Sequence, residues 1–173
     1  MQVTLKKLPG GDRRSIGRSN EVVANILARP AQAPRLLKIL VGALASPDAV
    51  LRMRAADAVE KITTQRPDLL QPFKKTLLSL AGTIVQKEVR WHLAILIPRL
   101  KLTPTERAVS VGILFDYLRD QSSIVKTCAM QSLAHLASTD QKLKSQIRPL
   151  LDELTQVGTP AMRARGRKIL YRF

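Results

Sequence analysis

Aromatic side chains are scarce in this chain: one Trp, two Tyr and three Phe make up 3% of 173 residues. A core built without them must be filled by Leu, Ile, Val and Ala. That aliphatic, alanine-rich mixture suits helix-on-helix packing better than strands, which favour β-branched and aromatic side chains. Acidic residues are the second shortage, with 13 Asp and Glu against 29 Lys and Arg, a formal net charge of +16. Cysteine is the third: Cys128 stands alone, which excludes an internal disulfide and fits a reducing compartment. No apolar run approaches the roughly 18–20 residues of a membrane span, and the first twenty residues lack the apolar stretch of a signal peptide. Together these absences predict an all-α, cytoplasmic protein with no membrane partner, and a length that suits one domain.

What the chain has in their place is repetition. Leu40, Leu77, Leu114 and Leu151 recur at intervals of 37 residues. A second register follows in each copy, opening Leu51-Arg52, Val89-Arg90, Val125-Lys126 and Met162-Arg163. Apolar or small residues then return four and eight positions on, which is a helical stripe and not strand alternation. Each copy is therefore expected to be a helical hairpin, and a period of this length is the signature of a stacked array. The predicted pairs are 33–45 with 48–65, 68–82 with 86–100, 104–119 with 122–138, and 141–157 with 160–172, after a lead helix at about 20–29.

Helix-end chemistry supports that frame. Thr103-Pro104-Thr105-Glu106 has the form of a capping box with Pro at the first helical position. Ser46-Pro47-Asp48 and Thr159-Pro160 open second helices by the same logic. Gly82 and Gly158 are expected as left-handed helix caps, and Pro98 is expected to kink or fray its helix. Residues 1–19, with Lys6, Lys7, Arg13, Arg14 and Arg18 against Asp12, read as a mobile basic arm ahead of a single domain over 20–173.

Paired helices at this period, with a hydrophobe-Arg-x-x-small-Ala opening to the second helix, resemble HEAT repeats over about residues 33–173. The resemblance implies an α-α superhelix, a HEAT-type solenoid of about four hairpins plus the lead helix. In such a solenoid the first helices lie on the convex side and the second helices line the concave side. HEAT proteins mostly act by binding, as scaffolds or adaptors; a smaller basic branch, which includes HEAT-like DNA glycosylases, holds DNA in the groove.

Numbering each second helix from its opening apolar residue as zero sorts the cations. The +1 column, Arg52, Arg90, Lys126 and Arg163, is expected to tie successive repeats together through acidic neighbours such as Asp48, Asp57, Glu60 and Glu88. The +10 column is Lys61, Arg99, His135 and Arg172, and the +3 column includes Arg54 and Arg165. From these columns and the outward +6 residue Lys168, the expected polyanion contacts are Arg54, Lys61, Arg99, Arg165, Lys168 and Arg172. Trp91, at the outward +2 position with Met53 in the same column, is expected as a stacking platform or partner anchor, unless Pro98 turns the helix and buries it.

Catalytic patterns are missing. No metal-ligand spacing, phosphate-cradling glycine loop or nucleophile elbow occurs, and no cofactor is expected. Asp57 alone answers to the carboxylate that the glycosylase resemblance would require. The expectation is a non-enzymatic binding module with a basic concave face, its partner nucleic acid (DNA or RNA) or another polyanion. The alternatives are a scaffold gripping an acidic protein segment and a divergent HEAT-like DNA-repair protein.

Overall fold

The computed structural model describes Leu8 and residues 15–173. Most of the expected basic arm, including Lys6, Lys7, Arg13 and Arg14, lies outside the described residues. All regular structure among them is helical: α1 Ser19–Leu27, α2 Ala33–Ala43, α3 Ala49–Gln65, α4 Lys74–Thr83, α5 Lys87–Leu96, α6 Pro104–Leu118, α7 Ser123–Ala137, α8 Gln141–Val157 and α9 Pro160–Leu170. Two 3-10 helices, Pro67–Phe73 and Ile97–Arg99, precede α4 and follow α5. The helices form two compact units, residues 1–100 and 101–173.

In the first unit α3 is the central element, packed against α1, α2 and α5. Its small residues explain how it can touch so much: Ala55, Ala56 and Ala58 have no exposed surface and let neighbouring backbones approach closely. Val22 and Ile26 of α1, Leu37 and Leu40 of α2, and Leu93 and Leu96 of α5 complete this aliphatic core. In the second unit α7 takes the same place, packed against α6, α8 and α9. Leu114, Tyr117, Ala129, Leu133, Ile147 and Leu151 are buried there. The four leucines of the 37-residue register, Leu40, Leu77, Leu114 and Leu151, are all 0–1% exposed.

The helix starts follow their capping residues. Thr103 and Glu106 make the full reciprocal box: Glu106 N donates to Thr103 Oγ1 at 3.3 Å, and Thr103 N donates to Glu106 Oε2 at 2.8 Å. Asp48 caps α3, accepting from Val50 N at 2.8 Å and Leu51 N at 3.3 Å, so Asp48 and not Pro47 provides the start signal there. Thr159 accepts from Met162 N, with Pro160 at the first position of α9.

Two local expectations are corrected, and the one for Pro98 is met. The segment expected as one helix over 68–82 begins as a 3-10 run, because Pro72 cannot supply the amide that an α-helical turn needs. Helix α5 stops at Leu96 and gives way to a 3-10 turn around Pro98, the fraying that this proline dictates. Neither Gly82 nor Gly158 is a left-handed cap. Gly82 lies inside α4, and Gly158 is extended at φ −69°, ψ 177°. Gly158 is glycine for room: a Cβ there would collide with Leu154 O and come within 2.9 Å of Met162 Cβ. Among the described residues only Gly17 has positive φ, at 54°.

Candidate polyanion interface

Three cations of the first unit, Arg54, Lys61 and Arg99, are held by the fold. Arg54 is 3% exposed, and its guanidinium donates to the carbonyls of Leu8 at 2.6 Å and Ser15 at 3.1 Å. Arg99 reaches back to α3, donating to Glu60 O at 2.6 Å, Thr63 Oγ1 at 3.0 Å and Glu60 Oε1 at 2.5 Å. Lys61 donates to Asp57 Oδ2 at 2.8 Å and Asn20 Oδ1 at 2.7 Å. Asp57 also accepts from Ser19 Oγ at 2.5 Å, so its carboxylate joins α1 to α3. At 6% exposure and bonded on two sides, Asp57 is a structural anchor and not a base open to a substrate. The expected surface contacts are thus fasteners: Arg54 ties α3 to the segment before α1, Lys61 ties α3 to α1, and Arg99 ties the 3-10 turn after α5 to α3. The outward face assigned to α3 is covered as well, with Met53, Arg54 and Asp57 all buried.

Trp91 is half-buried, not an open platform. Its ring stacks on His92, with centroids 3.4 Å apart and planes inclined by 30°. His92 is 1% exposed, and its Nδ1 has no hydrogen-bond partner among the protein atoms. Burial is the main reason its pKa is pushed down to about 3; Asp57 opposes the shift, while Lys61 and Arg99 reinforce it. The imidazole is therefore neutral at physiological pH.

The +1 cations use a partner that charge counting does not suggest. Arg52 donates to Ser46 O at 2.6 Å and Pro47 O at 3.0 Å, Arg90 to Ile84 O at 2.7 Å, and Arg163 to Gly158 O at 3.3 Å. Each of these oxygens lies at or just past the end of the preceding helix, where carbonyls lack an intrahelical donor. Three of the four acidic side chains expected to pair with this column are occupied elsewhere: Asp48 caps α3, Asp57 holds Ser19 and Lys61, and Glu60 holds Arg99, while Glu88 Oε2 is buried with no hydrogen-bond partner. Arg52 does join successive copies, through Gln86: its Nε donates to Gln86 Oε1 at 2.6 Å, and Gln86 Nε2 donates to Ala49 O at 2.9 Å. Lys126 is half-buried and makes no comparable bond.

The second unit treats its cations differently. Helix α9 turns Met162, Gly166 and Ile169 inward, one stripe at helical spacing, against α7 and α8. Gly166 marks the closest approach, since a Cβ there would run into the Thr155 side chain and lie 2.8 Å from Met130 Cε. With that stripe fixed, Arg165, Arg167, Lys168 and Arg172 project to solvent. Together with His135, Gln131 and Ala134 of α7 they line a groove of about 850 Å³ that has no acidic side chain in its wall. Arg165 leans on Gln131 Oε1 at 3.2 Å; among the described residues Arg167, Lys168 and Arg172 have no side-chain partner.

The structure therefore gathers three of the six expected contacts, Arg165, Lys168 and Arg172; Arg54, Lys61 and Arg99 are not among the residues that line the groove. Arg167 and Tyr171 are groove residues that the sequence argument passed over. Tyr171, 90% exposed, falls at the outward +9 position, three residues after Lys168, so the helical wheel held a usable signal. Among the described residues no group of His, Cys, Asp or Glu is placed to hold a metal ion, and no helix is long and apolar enough to cross a membrane. No family model, curated protein or solved structure matches the chain.

Proposed function

We propose that the chain is a non-enzymatic binding module whose α7–α9 groove takes a polyanion, with nucleic acid the favoured partner. One observation carries the proposal: Arg165, Arg167, Lys168 and Arg172 converge with His135 on one groove whose lining holds no Asp or Glu side chain. Like charges assembled without counter-charges cost free energy by mutual repulsion, and a chain of phosphates relieves that cost while releasing its own counterions. Contacts of this kind hold a backbone and read little sequence.

A HEAT-type stacked array is the architecture we propose for the scaffold. Its support is the spacing of the bonds that join helices within each unit. Arg52 to Gln86 spans 34 residues, Arg99 to Thr63 spans 36, and Ser123 to Thr159 spans 36. Ser19 to Asp57, at 38, extends the series to α1, which then acts as the second helix of a truncated leading copy.

The test is titration of fluorescent DNA and RNA at salt concentrations from about 50 to 200 mM, where log affinity should fall linearly with log salt. Replacing Arg165, Lys168 and Arg172 together with Gln should flatten the slope by about 2–3, near 0.7–0.9 for each lost phosphate contact. No binding at about 50 mM salt, or a slope untouched by the triple replacement, refutes the proposal. Poly-glutamate bound as tightly as either nucleic acid would move the assignment to an acidic protein partner.

A further inference from the structure

We infer that the groove is built for unpaired polynucleotide and that Tyr171 stacks on one of its bases; the inference rests on the polyanion assignment just made. Tyr171 follows the last residue of α9 and is 90% exposed, the most exposed of the large apolar or aromatic side chains among the described residues. An aromatic ring left open to water forgoes the burial that usually recommends it. Here it stands within the cationic groove, one residue before Arg172 and three after Lys168. Phe173, also on the groove, is already engaged: Lys144 Nζ lies over its ring, 5.1 Å from the centroid, and the side chain is half-buried. Tyr171 is the free ring.

A duplex has no use for such a ring, because its base faces are stacked inside and only phosphates and groove edges reach the protein. A single strand presents both phosphate and base face, and cations interleaved with an aromatic platform match that pair of features. Size agrees. A groove of about 850 Å³ falls in the range of roughly 300–1,000 Å³ that encloses small-molecule-sized groups, such as a few nucleotide units.

The experiment compares four ligands of equal length on the full chain: oligo-dT, oligo-rU, an abasic deoxyribose-phosphate oligomer, and a DNA duplex. Wild type should bind oligo-dT or oligo-rU more tightly than the abasic oligomer. Tyr171→Ala should weaken that binding about ten-fold, within a span of about 5- to 150-fold for one stacked base, and leave abasic binding unchanged. Tyr171→Phe should restore it. Lys168→Gln with Arg172→Gln should weaken all four ligands. If Tyr171→Ala binds both oligonucleotides as wild type does while the cation replacements still weaken all four, stacking is overturned and the polyanion assignment stands. Should the cation replacements also change nothing, the assignment itself fails. A duplex bound as tightly as the single strands likewise overturns the inference.

Discussion

Arg99 separates the two roles that a cation can have in this protein. Its guanidinium holds Glu60 O, Glu60 Oε1 and Thr63 Oγ1, and both members of the Arg99–Glu60 pair are 19% exposed. Arg99→Met keeps the aliphatic stem and removes the donors. A hydrogen bond to a charged group contributes about 1.5–3 kcal/mol. Glu60 O and Oε1 keep the Thr64 hydroxyl as a donor, at 2.9 and 3.1 Å. With that compensation and the residual exposure, the loss should be about 2 kcal/mol, the lower half of the range. Trp91 is the sole tryptophan and lies in the same unit, so its fluorescence reports unfolding of residues 1–100. With a urea dependence of about 1–3 kcal/mol per molar, the midpoint should fall by about 1 M. Because the two groups are coupled, Glu60→Met should cost about 1 kcal/mol less in the Arg99→Met background than alone. The salt slope for nucleic acid should stay unchanged. A midpoint shift under about 0.3 M, or additive single and double replacements, would refute the fastening role. A slope that flattens by about 1 would return Arg99 to the interface.

Two further outcomes follow from buried groups. His92 has a folded pKa near 3 against about 6.5 for the unfolded chain, so the unfolded state binds the extra proton between those values. Stability is therefore complete above about pH 6.5 and declines on acidification by about 1.4 kcal/mol per unit towards pH 3; His92→Leu should flatten that slope in urea titrations followed by Trp91. Gly166→Ala should destabilise residues 101–173 by about 1–2 kcal/mol, the overpacking cost against Thr155 and Met130 less about 1 kcal/mol of helix propensity. Circular dichroism during urea unfolding checks this, and an unchanged or raised midpoint would show that the helices simply separate to admit the methyl group.

The helices were legible because their signals are local and redundant. The register of Leu40, Leu77, Leu114 and Leu151 repeats, the Thr103–Glu106 box declares a start, and the proline at 98 declares a stop. What stayed illegible was the partner of each cation. A helical wheel gives the direction in which Arg54 or Arg99 leaves its own helix, but not whether another element meets it there. Arg54 meets the carbonyls of Leu8 and Ser15, and Arg99 meets Glu60 of the preceding copy. Arg165, Lys168 and Arg172 leave α9 towards solvent and line one groove. Trp91 is half-buried with its ring on His92, a contact between sequence neighbours that a wheel places on different faces.

The scarcity of carboxylates has a consequence beyond net charge. With 29 Lys and Arg and 13 Asp and Glu, most cations cannot have an acidic partner of their own, and Arg52 and Arg163 donate to carbonyl oxygens instead. A carbonyl fills the hydrogen-bonding capacity of a guanidinium but carries no formal charge, so Arg52 and Arg163 remain positive centres even when they are held in place. Only pairs such as Arg99 with Glu60 and Lys61 with Asp57 cancel charge locally. Fastening helices with Arg-to-carbonyl bonds thus preserves a positive field that acts at distances up to about 8–10 Å at physiological salt. Under the proposed function, that field draws a polyanion towards the protein, while direct contact is left to the α9 cations that line the groove. On this view the structural arginines should influence how fast a nucleic acid arrives, and the α9 cations how long it stays.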